Sequence, residues 1–485
     1  MQDPFLLAIK AGCDSLYMSD VSKKQIDILF IIPPYHHRNG SSTLFPLGIG
    51  SIISCVEKEK YTYDYIDCTS IIKILRNEEL EKLQAVLKSK LSAYQPLLVG
   101  IGPCVTPAAR GIEVIVRCCL EIFGRESVLA GGPFTMLPSQ EWFFYQKLGL
   151  KYLVKGDGEI AVCAAIQTKK SGNSLSFCPS ISRKGYSYFN SIPNLDALPF
   201  PKRIQLEENL ISERRRLEKE GKSAHIVTSR GCPYSCNYCV SGNLEIKFRK
   251  RTSPSIVAEM CFLQHAFQVT DIIFYDDCFF TTPASVHQEI NNFCGEIKAA
   301  KLQITWQIEM RPDILMCLSD EEIMVLSDCG CRQINVGVEK TDPIGASVFG
   351  KKFDYEALKR YIYHMHKICP IKIAGTFILG GKDETEDSVR TLIRNSLSLG
   401  LDKAEYSPLF VYPDTPIYHE VFSDPYSWLD IINHEDEAWG EVVYESRELD
   451  KNKLIGLIDE AYKSFYADTE YSDSERVKDR YNLKG

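Results

Sequence analysis

Three cysteines lie within eight residues of one another in the stretch TSRGCPYSCNYCVSG, at Cys232, Cys236 and Cys239. Thiolates are soft ligands that select zinc or iron–sulfur clusters. A structural zinc site takes four protein ligands, and no fourth ligand with a suitable spacing follows nearby. A [4Fe–4S] cluster held by three cysteines instead leaves one iron open to another ligand. The spacing therefore favours a cluster with an open coordination position over zinc.

A short apolar strand at 224–229 leads directly into this cysteine loop. Strand and helix patterns then alternate, with further strands predicted at 271–280, 304–313, 333–341, 371–381 and 403–416. Six strands with intervening helices predict a partial (β/α)6 barrel, in which the loops after the strands form the catalytic mouth. The cysteines are thus expected at that mouth.

The C-x3-C-x2-C pattern, with the aromatic Tyr238 just before the last cysteine, resembles the hallmark of the radical SAM superfamily. This resemblance implies that the open iron binds S-adenosylmethionine (SAM) and that reductive cleavage gives a 5′-deoxyadenosyl radical. It also implies that Tyr238 contributes to the cofactor site. The non-enzymatic alternative is a structural or redox-sensing cluster in a binding protein.

The same resemblance suggests residues for SAM at the ends of the barrel strands. Asp276 and Asp277, in YDDCF, occupy the place of the motif that holds the methionine amino group, and helix capping is the structural alternative. Arg311 is expected to hold a carboxylate and Glu339 a ribose hydroxyl, with Glu309 beside them; structural ion pairs are the alternative.

Two later motifs complete the resemblance in the barrel. GTFILGGKDET resembles the glycine motif of the fifth strand, which implies that Gly375 and Gly380 approach the adenine. YPDTPIY resembles the PGTP turn near the end of the barrel, with Asp414 in place of the usual glycine.

Residues 25–170 show a different alternation, in which short apolar runs and amphipathic stretches repeat to a fifth strand. This pattern predicts a doubly wound, Rossmann-like α/β domain. Ligands of such sheets lie beyond the carboxyl ends of the strands, where the loops of this region are rich in glycine and proline.

The patterns IIPP, PLGIGSI, GIGPCVT, AGGPFT and VKGDGE make this region similar to the cobalamin-binding domain of many radical SAM enzymes. The residues implied for cobalamin are Pro34, His37, Gly102, Thr106, Gly131, Gly132, Gly156 and Glu159. In YHHRNG, His37 and Gly40 keep the spacing of the Asp-x-His-x-x-Gly motif, but Tyr35 replaces its aspartate. A histidine ligand below cobalt would therefore lack its orienting carboxylate.

The predicted organisation has five parts: an extension (1–24), the cobalamin-binding-like domain (25–170), a linker (171–222), the barrel (223–425) and a helical C-terminal region (426–485). The chain has 485 residues, more than one core normally serves. A charged helix is predicted at 208–223, and the basic run KFRKR (247–251) is predicted to be a solvated surface.

Composition limits the function classes. Eighteen cysteines, mostly single and in apolar contexts, do not indicate a disulfide scaffold. No apolar run reaches the length of a membrane span, and the N-terminus has no secretory pattern, so we expect a cytoplasmic protein. A net charge of −8 does not indicate a nucleic-acid-binding surface.

Together the two resemblances imply a cobalamin-dependent radical SAM C-methyltransferase that acts on an unactivated carbon. The alternative is a cyclase, oxidase or rearranging enzyme of the same architecture, with cobalamin as an electron carrier or absent. Either enzyme would need a small-molecule or peptide substrate and an external one-electron reductant of the flavodoxin or ferredoxin type. The sequence does not identify the substrate.

Overall fold

The computed structural model describes residues 23–34, 36–37, 40–41, 46–72, 75, 77–204, 222–244, 246–428 and 444–467. The strands are β1 Lys24–Ile32, β2 His36–His37, β3 Gly40–Ser41, β4 Tyr63–Asp67, β5 Tyr94–Ile101, β6 Val128–Gly131, β7 Tyr152–Gly156, β8 Phe189–Asn190, β9 Lys222–Ile226, β10 Ser229–Arg230, β11 Arg249–Lys250, β12 Val269–Phe274, β13 Thr305–Met310, β14 Cys331–Glu339, β15 Lys372–Leu379 and β16 Lys403–Pro408. The charged segment 208–221 lies outside the described residues.

The helices alternate with the strands of two sheets. They are α1 Leu47–Lys58, α2 Asn77–Leu91, α3 Ala109–Phe123, α4 Pro138–Trp142, α5 Gly158–Lys170, α6 Ser253–Phe267, α7 Val286–Ala299, α8 Pro312–Leu315, α9 Asp320–Asp328, α10 Pro343–Val348, α11 Tyr355–Ile368, α12 Glu386–Ser398, α13 Pro416–Val421 and α14 Lys451–Tyr466. A π-helical turn, Phe143–Lys147, continues α4. None of the described helices is long and apolar enough to cross a membrane.

The N-terminal sheet has six strands in the order β4-β1-β5-β6-β7-β8, and all its pairs are parallel. In β1, the second strand of this sheet, Ile28 pairs with Leu98 on one side and with Tyr63 on the other. The run ILFII is buried on both faces of the sheet, as expected for a parallel strand covered by helices. The predicted doubly wound α/β fold is confirmed.

The sixth strand of this sheet comes from the segment predicted as a linker. Asn190 in β8 pairs with Gly156, and its side-chain amide donates to the carbonyl oxygens of Lys155 and Ser180. Further along the same segment, the Lys202 backbone N–H donates to the Gly50 carbonyl oxygen. Part of 171–222 is therefore built into the N-terminal sheet rather than extended between two bodies.

The second sheet also has six parallel strands, in the order β16-β15-β14-β13-β12-β9. The two strands at its ends are not paired with each other, so the barrel is partial, as predicted. Its helices cover the outside over a core that includes Trp306, Phe274 and Phe293. After β9 the chain forms β10, then the cysteine loop, then β11. Strands β10 and β11 pair as a short antiparallel hairpin, and α6 follows.

The C-terminal helix α14 covers the edge strand β16. The Tyr462 hydroxyl donates to the Tyr406 carbonyl oxygen and accepts from the Tyr406 backbone N–H, and Tyr466 does the same at Ala404. These hydroxyls satisfy backbone groups that an uncovered edge would leave open to another strand. The helix predicted near 450–467 is present, and its contacts lie at the edge of the barrel.

Aromatic side chains join the two sheets. Trp428, which follows the barrel, packs edge-on against Phe134 and Phe143 of the N-terminal half. Leu409, Val411 and Tyr418 lie in the same buried cluster as one face of the N-terminal sheet. A continuous core of this kind fixes how the loops of the two halves face each other.

Candidate functional site

A cavity of about 430 Å³ lies where the carboxyl ends of the N-terminal sheet meet the mouth of the barrel. The N-terminal half contributes, among others, Gly102, Pro103, Gly131, Gly132, Gly156 and Glu159. The barrel half contributes, among others, Ser229, Arg230, Ser241, Tyr275, Asp276 and Asp277. A third wall comes from Leu195 and residues 198–201. Of the residues predicted for the cluster and SAM, Asp276 and Asp277 line this cavity, whereas the three cysteines do not; they lie between Gly231 and Ser241, which do.

The glycines of the sheet loops meet neighbouring loops at the positions where side chains would begin. A Cβ on Gly102 would lie 2.7 Å from the Gly131 carbonyl oxygen, and one on Gly132, whose φ is +124°, would lie 2.5 Å from the Cys104 nitrogen. Loop-to-loop packing therefore requires these glycines, which also line the cavity, and their contact with cobalamin stays a prediction. Gly48 differs, because the space beside its Cβ position is open and faces the cavity.

The remaining residues predicted for cobalamin are placed differently. Pro34 is buried against Gly111, and Thr106 is buried with its hydroxyl accepting from Gln140 Nε2 at 2.9 Å. Neither lines the cavity. The backbone of His37 pairs in the β2-β3 ribbon, and its side chain lies outside the described residues.

Glu159 faces the cavity but is held by an ion pair. Arg230 donates from Nη2 to Glu159 Oε1 at 2.5 Å and from Nη1 to Asp157 Oδ1 at 2.7 Å. Arg249 also pairs with Asp157, which accepts from the Ile192 backbone N–H as well. These arginines hold the pKa of Asp157 below its usual value against the opposing effect of burial. The carboxylates join the sheet to the cysteine loop.

The basic run KFRKR is an internal pairing segment, so the predicted solvated surface is wrong for its last three residues. Arg249 pairs with Asp157, Lys250 with Glu289, and Arg251 with Glu259, which is buried. These residues are internal because β11 forms a hairpin with β10, and the hairpin lies between the two halves of the protein. The sequence shows the cluster of basic residues, but it does not show which acidic residues pair with them in the fold.

The three cysteines differ in exposure: Cys236 is buried, while Cys232 and Cys239 are partly exposed. Burial, with nearby Asp277 and the other two thiols, raises the pKa of Cys232 to about 11. Among the described residues, no three His, Cys, Asp or Glu side chains surround a point that a single metal ion could occupy. A four-iron cluster spreads its cysteine ligands more widely than one ion does, and the soft thiolate set fits such a cluster.

The cysteine loop is fixed by its own polar contacts. Asn243 donates from Nδ2 to the carbonyl oxygens of Cys236 and Cys239, at 3.0 and 2.6 Å. Gly242 lies so close to the Tyr234 carbonyl oxygen that no side chain fits, and Gly231 has a φ of +75°. The loop therefore presents its thiols from a defined backbone.

Asp276 and Asp277 have separate environments. Asp276 is 4% exposed and accepts from the backbone N–H groups and hydroxyls of Thr228 and Ser229. Burial raises its pKa to about 6. Asp277 instead is exposed at the cavity wall, and its side chain bonds to Ser241 of the cysteine loop. Asp276 thus holds the start of the loop, and Asp277 is the carboxylate that can meet a ligand.

Arg311 points at the buried cysteine. Its Nη1 lies 3.6 Å from Cys236 Sγ, its Nη2 donates to the Gly350 carbonyl oxygen at 3.0 Å, and its Nε donates to Asp313 at 2.9 Å. The guanidinium carbon lies 3.8 Å from the centre of the Tyr234 ring. Gly350, missed in the sequence, has a φ of +72°, and its Cβ position is 3.5 Å from Cys236 Sγ.

Two further carboxylates lie along the barrel strands. Glu309 accepts from Asn335 Nδ2 at 2.8 Å, and burial, followed by the charges of Glu405 and Glu339, raises its pKa to about 7. Glu339 is buried in an ion pair with Lys351 at 3.7 Å and also accepts from Tyr238. Burial raises the pKa of both Glu339 and Tyr238.

The two glycines of the fifth-strand motif pack against protein. A Cβ on Gly375 would lie 2.5 Å from Leu401 Cδ1, and one on Gly380 would lie 2.6 Å from Leu454 of α14. Gly380 has a φ of +91°. The side of each residue that a side chain would occupy is therefore filled by a leucine, Leu401 or Leu454, and this packing explains the need for glycine. The approach of these glycines to adenine stays a prediction.

Asp414, in place of the usual glycine, has a φ of +62°, which glycine adopts without strain. Its carboxylate accepts from the backbone N–H and the hydroxyl of Ser139, at 3.0 and 2.7 Å. The departure from the motif thus creates a contact between the barrel end and α4 of the N-terminal half.

Residues 226–395 match the radical SAM superfamily. The match falls on the barrel and confirms the predicted recognition of a radical SAM enzyme. An uncharacterised methyltransferase of Pyrococcus horikoshii is 22% identical over 91% of this chain and 93% of its own length. The anaerobic magnesium-protoporphyrin IX monomethyl ester cyclase of Cereibacter sphaeroides is 20% identical over 90% of this chain and 70% of its own length.

Two solved structures share the fold of this chain. One is the radical SAM methyltransferase TsrM of Kitasatospora setae with cobalamin and a [4Fe–4S] cluster bound, at a TM-score of 0.62 and 18% identity over 82% of this chain and 74% of that one. The other is the cobalamin-dependent enzyme OxsB with aqua-cobalamin bound, at 0.57 and 14% identity over 84% of this chain and 56% of that one. The arrangement of a Rossmann-like sheet before a partial barrel is therefore shared with both.

Proposed function

We propose that this chain is a cobalamin-dependent radical SAM methyltransferase that acts on an unactivated carbon. The observation that carries the proposal is the cavity between the two halves. Its wall joins Gly102 and Gly131 of the sheet loops to Ser241 and Asp277 beside the cluster cysteines. Two cofactors bound on opposite sides of this space would face each other across a substrate.

Different barrel residues would bind the cluster and SAM. Cys232, Cys236 and Cys239 would ligate three irons and leave the fourth for SAM. Asp277 is the carboxylate available for the methionine ammonium, since Asp276 is occupied by the loop backbone.

Groups along the strands would complete the SAM site. Glu309 and Glu339 carry the carboxylates that suit ribose hydroxyls, and Tyr238 adjoins Glu339. A ribose hydroxyl can donate a hydrogen bond to a carboxylate. Such a bond to Glu309 would offset part of the desolvation cost of its charged form, which is what raises its pKa.

The sheet side of the cavity suits a large ring with apolar faces. Gly102, Gly131 and Gly132 of the sheet loops line it, and Phe30, Leu47, Ile49 and Met136 supply apolar surface. The ion-paired Asp157 and Glu159 leave little free charge at this wall. When bound, cobalamin supplies a transferable methyl group, and the cluster with SAM supplies the radical that opens the substrate C–H bond.

Methyl transfer is preferred because methyltransferases are named among the relatives that match most of this chain's length. A cyclase-type radical reaction is the second candidate, because the cyclase relative also spans most of the chain. For either reaction we propose a small-molecule or peptide substrate, an external flavodoxin- or ferredoxin-type reductant, and the cytoplasm as the compartment.

The test is to separate the nucleoside products of SAM after anaerobic reconstitution with iron, sulfide and hydroxocobalamin and reduction with dithionite. Methyl transfer predicts S-adenosylhomocysteine that depends on cobalamin, together with 5′-deoxyadenosine. The protein with Cys239→Ala should give no 5′-deoxyadenosine. Formation of 5′-deoxyadenosine without any cobalamin-dependent S-adenosylhomocysteine would contradict methyl transfer and support the second candidate.

A further inference from the structure

Arg311 is the charged group that lies against a cluster cysteine. Arg311 is 7% exposed, and the cysteine that it contacts, Cys236, is the buried one of the three. The 3.6 Å separation of Arg311 Nη1 from Cys236 Sγ is a hydrogen-bond distance for sulfur. A sulfur that ligates iron keeps lone pairs, so the N–H group can still donate to it when a cluster is bound.

The guanidinium is held from several sides. Asp313 accepts from Nε, the Gly350 carbonyl oxygen accepts from Nη2, and the Tyr234 ring packs on the flat face. A guanidinium group stays protonated in proteins, so Arg311 keeps its charge at this position. Nη1 is thereby directed at Cys236.

Gly350 makes this arrangement possible. It directly follows Phe349, which packs on the Tyr238 ring of the cysteine loop at 4.8 Å between ring centres. With a φ of +72° and its Cβ position 3.3 Å from Cys236 Cα, residue 350 can close over the cysteine only as glycine. Its carbonyl oxygen then fixes the far side of the guanidinium.

We infer that Arg311 is a positioning residue of the cluster itself, which donates to the Cys236 sulfur and favours the one-electron-reduced state. This inference rests on the proposed cluster, and it replaces the expectation that Arg311 holds the SAM carboxylate. Reduction adds one negative charge to the cluster and its sulfurs. A fixed cation and an N–H···S bond stabilise that added charge, and such bonds help set cluster potentials.

The test is an EPR-monitored redox titration of the reconstituted protein without SAM, with methyl viologen as mediator and dithionite as reductant. Arg311→Met removes the donor and the charge, and Arg311→Lys keeps the charge but not the planar fork. Arg332→Met is the matched control, because Arg332 pairs with Asp271 at the opposite ends of the strands. Iron and sulfide content confirm that each variant carries a cluster.

We expect Arg311→Met to lower the ratio of reduced to oxidised cluster at a fixed potential by on the order of tenfold, which for one electron is a shift of about 59 mV to more negative potential. Arg311→Lys should shift the potential less, and Arg332→Met should leave it unchanged. A cluster potential unchanged in both Arg311 variants, with SAM binding weakened instead, would overturn the inference. Wild-type protein that takes up no cluster would overturn the proposed function itself.

Discussion

Glu159 and Arg230 form an ion pair, with 2.5 Å between Glu159 Oε1 and Arg230 Nη2, that connects the N-terminal sheet to the strand just before the cluster cysteines. Arg230 lies two residues before Cys232, and Glu159 lies in the first turn of α5, after β7. The pair lines the cavity between the two halves. The position of the cysteine loop relative to the sheet is therefore set in part by this contact.

Removing one member of this pair should destabilise the protein. Arg230→Met leaves Glu159, which is 2% exposed, without its cation, and we expect a loss of about 3 kcal/mol in the free energy of unfolding. Urea titration measures the loss. Lys170→Met, which breaks an exposed pair with Asp27, is the control and should cost less than about 1 kcal/mol. Equal effects of the two variants would show that the pair at the cavity does not hold the halves together.

Each cluster cysteine should be required for iron uptake. Replacing Cys232, Cys236 or Cys239 by Ala removes a thiolate ligand, so we expect loss of the bound cluster and of SAM cleavage. Iron and sulfide analysis after anaerobic reconstitution measures the first effect, and 5′-deoxyadenosine measures the second. Cys317→Ala is the control because Cys317 is exposed, and it should retain both properties. Zinc-dependent folding would contradict this account.

Asp414 should show two opposing effects. Asp414→Ala keeps a side chain at a φ of +62° and loses the bonds from Ser139, whereas Asp414→Gly loses the same bonds but relieves the backbone. Left-handed backbone costs a non-glycine residue about 1–2 kcal/mol, so the Ala variant should be less stable than the Gly variant by about that amount. Urea titration compares them. Ala and Gly variants of equal stability would rule out strain at this position.

Glu309 should give stability a pH dependence. Its pKa is raised from 4.5 to about 7, mainly by burial, so the native state binds this proton more tightly than the unfolded state does. The contribution of this pKa difference to the free energy of unfolding is therefore greatest below pH 4.5 and is lost as the pH rises to 7. Glu309→Gln keeps an acceptor for Asn335 and removes the titration. From pH 4.5 to 8, the free energy of unfolding of the variant should rise by on the order of 2 kcal/mol relative to that of the wild type, as measured by urea titration. Parallel pH profiles of the two proteins would contradict a raised pKa of Glu309.

The sheets, the barrel and the position of the cysteine loop could be predicted from sequence because they follow from local patterns. Continuous apolar runs such as ILFII indicate buried parallel strands, and the cysteine spacing indicates its own chemistry. The six-strand barrel and the helix over 450–467 rest on the same kind of signal. Each of these features depends on residues that are neighbours in the chain.

Contacts between distant segments could not be predicted in this way. Arg249 and Lys250 looked like solvated charges because their partners Asp157 and Glu289 are far away in sequence. Asp276 and Asp277 are adjacent and chemically identical, yet only the fold shows that Thr228 and Ser229 occupy the first. Gly350 carried no motif, and only its approach to Cys236 reveals why it is glycine.

Retention of corrin by the protein tests the central claim most directly. The measurement is the absorption spectrum after anaerobic incubation with hydroxocobalamin and gel filtration. Gly48→Phe places a ring in the open space at the cavity wall, and Gly295→Phe places one in equally open space on α7. We predict stoichiometric corrin on wild type and Gly295→Phe and its loss from Gly48→Phe. Wild-type protein without corrin absorbance, or equal retention by Gly48→Phe, would contradict a cobalamin site between the sheet and the barrel.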